Sequence, residues 1–121
     1  MIPTHNLYFR HATTLWFLVS CLLLASCVQK PVKVSEAERK AQDSIVSSIS
    51  NLDSLVKLQK RMEHEGNLLG SIVAYRELGK RVRNDSQFDD ALRFHSEGLT
   101  QAEALGDTLE VVQALNNIGT D

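Results

Sequence analysis

Past residue 27 the chain has no cysteine, since both that it contains, Cys21 and Cys27, fall at or before that point. Residues 28–121 can therefore hold neither a disulfide framework nor a thiolate zinc site. No apolar run reaches the ~20 residues a membrane-spanning helix needs, and the longest, residues 12–24, covers thirteen. Basic excess is missing too: with 13 Lys and Arg against 15 Asp and Glu, nothing in the charge balance points to nucleic acid. No G-x-S-x-G, phosphate-binding loop or Ser/His/Asp set is found, and the segment reads as non-catalytic. The histidines after Cys27, His64 and His95, lack a second ligand at metal spacing. Glu63, His64 and Glu65 point about 100° apart around a helix and cannot converge on one ion. The acidic stretch 84–90 lacks the glycine and terminal glutamate of a calcium loop, and Asp89 and Asp90 are explained as carboxylates at the positive end of a helix dipole. No catalytic residue, metal or cofactor is expected.

What is present is a repeat. Residues 66–79 read GNLLGSIVAYRELG and residues 106–119 read GDTLEVVQALNNIG, with one offset of 40 throughout. Gly66/Gly106, Leu69/Leu109, Ala74/Ala114 and Gly79/Gly119 are identical, while Asn67/Asp107, Ile72/Val112 and Leu78/Ile118 keep size and character. A fixed period in the range of about 20–50 residues means stacked structural units. Between the two copies lies one helical hairpin. Ile72, Tyr75, Leu78, Gly79 and Val82 form one face of a first helix, residues 83–86 supply turn chemistry with Asp85 or Ser86 as N-cap, and a second helix succeeds it over residues 87–105. Phe88, Ala91, Leu92, His95, Leu99, Ala102 and Leu105 are its expected inner side, and Gly106 its stop. Gly79, Ala91 and Gly98 are small where two backbones must approach.

This pattern resembles the tetratricopeptide repeat (TPR). With Gly79 at the family's small position on the first helix, Leu78 precedes it, Tyr75 takes the aromatic position, Ala91 falls twelve residues on where the family places alanine, and Gly98 takes the next small position. His95 stands in place of the usual aromatic, Val82 in place of the usual tyrosine, and no proline closes the repeat. Longer-repeat variants of the family open with GDxxxxxQALNNIG, as here. The resemblance implies an all-α, antiparallel helix-hairpin solenoid, with a degenerate leading repeat over 35–65, a full repeat over 66–105 and the start of another over 106–121. About three such repeats are usually needed for stability, so the chain is expected to be the front of a longer array.

Before the repeats, residues 12–24 have the size of a signal-peptide core. Leu24-Ala25-Ser26-Cys27 resembles the lipobox of bacterial lipoproteins, which implies a signal peptide over 1–26, acylation of Cys27 and a lipidated tether over 27–34 that holds the protein at the cell envelope. The alternative is an uncleaved anchor: extended to Val28 the run reaches seventeen residues, the bottom of the spanning range. Lys30, Lys33, Arg39 and Lys40 after it outnumber Arg10 before it, which counts against export of the repeat segment.

Ser35-Glu36-Ala37-Glu38 fits a capping box and opens a helix. Ala37, Ala41, Ile45, Ile49, Leu52, Leu55, Val56 and Met62 continue at helical spacing, as one long helix or as two. Ser47, Ser48, Ser50 and Asn51 are candidate caps for a second helix near Leu52. The 40-residue shift also favours two: it lays Leu52 on Leu92, Leu55 on His95 and Gly66 on Gly106.

In the TPR family the first helix of each repeat lines a concave groove. Carried over from Gly79, the resemblance puts Val73, Arg76, Lys80, Arg83 and Asn84, with Gln113, Asn116 and Thr120 of the next repeat, at ligand-facing positions. Arg76, Lys80 and Arg83 make a basic stripe able to hold an acidic extended peptide, or simply a solvated face. The expected function is a non-catalytic scaffold for protein–protein interaction, tethered by lipid at Cys27. The alternative is the exported sensor region of a signalling protein, a histidine kinase or transcriptional regulator with its output domain beyond residue 121.

Overall fold

The computed structural model describes residues 32–121, so Cys27 and the signal-peptide and anchor readings lie outside the described residues. These form five α-helices and no strand: α1 Glu36–Ser47, α2 Leu52–His64, α3 Leu68–Asn84, α4 Phe88–Leu105 and α5 Thr108–Ile118. The described residues are all-α, as expected. None of these helices is long and apolar enough to cross a membrane.

Local chemistry sets most of the boundaries. The Ser35 hydroxyl accepts from Glu38 N–H and the Glu38 carboxylate accepts from Ser35 N–H, so the capping box at α1 is complete. Donation from the Ser35 hydroxyl, at 2.6 Å, and then from the Ser35 N–H holds the Glu38 carboxyl below its ordinary range. The leading stretch is two helices: α1 ends at Ser47, and Asn51 starts α2 by accepting from Ser54 N–H. Asn67 and Asp107, one period apart, cap α3 and α5 in the same way through Gly70 N–H and through Leu109 and Glu110 N–H.

Three turns share one device. Gly66, Ser86 and Gly106 all adopt left-handed backbone, with φ of 74°, 61° and 76°. At the first two, the next N–H reaches back to the helix that has just ended, Asn67 to Met62 O and Gln87 to Val82 O, closing a Schellman-type stop. Ser86 therefore terminates α3 instead of capping α4. The N-cap of α4 is Gln87, with no side-chain hydrogen bond, so neither Asp85 nor Ser86 fills the expected role.

Packing runs through α3, which touches all four other helices; α5 packs chiefly on α4. Val46, Leu55, Met62, Val73, Ala74 and Leu78 form one buried cluster, and Ile72, Val82, Ala91, Ala102 and Ala114 are buried as well. The expected face of α3 is the observed one. On α4 the inner side is narrower than the spacing suggested: Ala91, His95, Gly98 and Ala102 are buried, whereas Phe88 and Leu92 are about half exposed. Small residues bring α4 so close to α3 that its flanking large side chains are pushed outward. On α1 the inner side is Arg39, Gln42, Asp43 and Val46, while Ala37, Ala41 and Ile45 face solvent, because α1 is held largely by polar contacts that apolar spacing does not mark.

Candidate functional site

α1, α3 and α5 lie in succession, with α3 in contact with both neighbours, and the residues of the expected groove are on α3 and α5. Arg76 is not a free cation. It donates to Asp43 of α1 at 2.9 Å and to Glu110 of α5 at 3.3 Å, and also to the side-chain oxygen of Gln113. Arg83 donates to Thr120 at 2.7 Å and to Asp121 at 3.5 Å. Arg76 ties α3 to α1 and α5, Arg83 ties α3 to the residues that follow α5, and both are only about a quarter exposed. Lys80 is exposed and makes no ion pair among the described residues. Asn84 ends α3 and Asn116 lies on α5, both exposed, whereas Gln113 is half-buried under Arg76. Val73 belongs to the core cluster and does not face a groove.

The residues that dominate this face were not singled out from the sequence. Arg39, on the first turn of α1, donates through Nε to Glu110 at 2.8 Å, through one terminal nitrogen to Asp107 at 2.7 Å and through the other to the Val34 carbonyl at 2.8 Å. Val34 N–H donates to the second oxygen of Asp107 at 2.9 Å. Glu110 is 1% exposed yet satisfied by Arg39 and Arg76, as a buried carboxylate must be. The hydrogen bond to Glu110, chiefly, holds the Arg39 guanidinium above its ordinary range. Burial pushes the Asp107 carboxyl up, but donation from Val34, Glu110 and Arg39 outweighs it and leaves that carboxyl below its ordinary range.

The period explains how α5 differs from α3 here. Position 70 of α3 is glycine and the equivalent position 110 of α5 is glutamate. A Cβ at Gly70 would meet the Asn67 and Gln42 side chains at 2.5–2.9 Å, so α1 is held against α3 by an Asn67–Gln42 contact and against α5 by the Arg39 clamp. A signal was available in the sequence, the change from Asn67 to Asp107 together with Gly70 to Glu110, but it carries no hint of the partner. The clamp closes the α1 end of the face and consumes most of its charge, while Lys80, Asn84, Asn116 and Thr120, with the half-exposed Asp43 carboxylate, stay accessible.

Two other polar features lie nearby. Tyr75 shares Glu63 with Gln59 and Gln101, and burial, then the Glu63 charge, pushes its hydroxyl up to about 12. His95 is buried with Nδ1 against Asp121 at 2.5 Å, and its Nε2 has no hydrogen-bond partner among the described residues. The gap lined by His95, Ile72, Arg76, Gly98, Glu110, Ala114 and Asn117 measures about 10 Å³, room for at most one water. Among the described residues no group of three or more His, Cys, Asp or Glu side chains is placed to hold a metal ion. No known family, curated protein or solved structure matches the chain.

Proposed function

We propose that the chain is a TPR-like repeat scaffold that binds a protein or extended peptide, exported and tethered at the cell envelope through lipid on Cys27. The observation that carries the repeat reading is the neighbour pattern combined with the period. α3 contacts α1, α2, α4 and α5, α5 contacts α4 and α3, and the caps Asn67 and Asp107 fall one period apart. Contact of each helix with its successor from α2 onward, and of α3 with both α1 and α5, supports a hairpin repeat in which each unit buries its inner face against the next. The accessible polar groups of this face include the Lys80 ammonium and the Asn84 and Asn116 amides, which suit the recognition of a partner's carboxylates and main chain.

The partner-facing residues in this reading are Lys80, Asn84 and Asn116, with Arg76, Arg83 and Gln113 acting mainly as their framework. An acidic group on the partner would pair with Lys80, and the amides would hold its main chain. Selecting binders from a displayed peptide library on the full chain tests this. Peptides so obtained should lose binding on Lys80→Glu and Asn116→Ala while the melting temperature stays put, and affinity should fall with salt. Binders indifferent to both changes would remove the groove reading.

A further inference from the structure

Most cations of the described residues are answered by a carboxylate. Arg39, Lys40, Arg76, Arg81, Arg83 and Arg93 each lie within ion-pair distance of one. Lys33 and Lys80 have no such partner among the described residues but stand singly, whereas α2 gathers three: Lys57, Lys60 and Arg61, all exposed and unpaired. With His64, also exposed, they fall at i, i+3, i+4 and i+7, one face of a helix. The buried residues of α2, Leu55, Gln59 and Met62, occupy the opposite face, so the row points away from α3, on which α2 packs. Asp53, one turn before the row, and Glu65, at its end, are exposed and not within ion-pair distance of it. Three positive charges therefore stand unanswered within about 6 Å of helix axis.

Such a row attracts an anionic surface, and its composition says of which kind. A protein interface centres on buried apolar or aromatic anchors and is poor in lysine. Here two of the three cations are lysine, no apolar side chain lies within the row, and Val56 and Leu58 at its flanks are turned half inward onto the core. Bilayer headgroups need no anchor of that sort, since their surface potential alone attracts clustered Lys and Arg. A net charge of −2 for the whole chain speaks against nucleic acid. We infer that the outer face of α2 lies on the anionic headgroups of a lipid bilayer, through Lys57, Lys60 and Arg61. This gives the tethered chain a fixed side toward the membrane, and it rests on the tether of the proposed function. The two fail separately, because fatty-acid labelling reports on Cys27 alone.

The test uses the full chain in nanodiscs whose lipids include a headgroup-bound nitroxide, with broadening of amide NMR signals as the readout. In discs of mixed phosphatidylcholine and phosphatidylglycerol, broadening across residues 57–64 is expected to exceed that across residues 110–119 about twofold or more. The excess should vanish in phosphatidylcholine alone, at high salt, and in the triple variant Lys57→Gln, Lys60→Gln, Arg61→Gln. Because all three side chains are exposed, the circular dichroism of that variant should match the wild type. Equal broadening along the chain in the mixed discs overturns the inference. So does an α2 excess that survives in phosphatidylcholine or in the triple variant. An α2 row that stays unbroadened in the mixed discs while added polyglutamate shifts its signals also overturns it, and assigns the face to an acidic protein.

Discussion

Gly79 lies directly beneath the imidazole of His95, so close that a single added methyl group would overlap Nε2. The ring is 2% exposed and fixed at its other nitrogen by Asp121, so it cannot swing aside without losing that bond. This contact sets the distance between α3 and α4, and it explains why the ring nitrogen nearest the glycine has no polar partner.

Gly79→Ala should therefore destabilise the protein by about 1–3 kcal/mol through overpacking. The loss should be markedly smaller in a His95→Ala background, where the clash is absent. Thermal or urea melts of the two single variants and the double variant give the coupling. Additive effects would mean that ring and glycine do not touch.

Ser86 occupies left-handed backbone, φ 61°, at a turn whose counterparts are Gly66 and Gly106. The αL conformation costs an L-residue roughly 1–2 kcal/mol. The Ser86 side chain is exposed and makes no hydrogen bond among the described residues. Ser86→Gly should raise stability by up to about 1 kcal/mol, less than the full strain because glycine is also freer when unfolded. A fall in the urea midpoint would contradict the turn geometry.

Arg39 is worth more than Arg76. Removing Arg39 leaves Asp107 and Glu110 buried, with Arg76 as the remaining cation at Glu110 and none at Asp107. Arg39→Ala should cost about 3 kcal/mol, on the scale of breaking a buried pair. Arg76→Ala should cost less, since Glu110 retains Arg39 and the other partner, Asp43, is half exposed. Equal losses would show that the clamp is not centred on Arg39.

Acid should release the same clamp. The Asp107 carboxyl is held below its ordinary value of 3.8, so the stability it contributes is present above about pH 4 and is lost as the pH falls through the lower folded value. Melting temperatures of the wild type should decline below about pH 4 more steeply than those of Asp107→Asn, whose amide cannot titrate. Parallel curves would mean that the acid sensitivity has another source.

If Cys27 carries the lipid, Cys27→Ser should abolish labelling by a fatty-acid analogue and leave a precursor of full length. Unchanged labelling and size would remove the anchor from the proposed function.

Much of the architecture was legible in the sequence because it is local. Helix starts depend on a side chain and N–H groups two or three residues away, so Ser35 and Asn51 announce them, and Gly106 announces a stop; Asn67 and Asp107 cap by the same local bonds, although the sequence marked them only as a pair one period apart. The burial of Ile72, Leu78, Gly79 and Val82 likewise comes from helical spacing along one segment. The tertiary structure alone decided which charges are spent. Arg39 meets Asp107 and Glu110 across sequence separations of 68 and 71 residues, and ion pairing depends on distance and burial, neither of which is written in spacing. For that reason a stripe that reads as three free cations became two structural ties and one exposed lysine. The close approach permitted by Gly79, Ala91 and Gly98, likewise beyond the reach of periodicity, turned Phe88 and Leu92 to the outside.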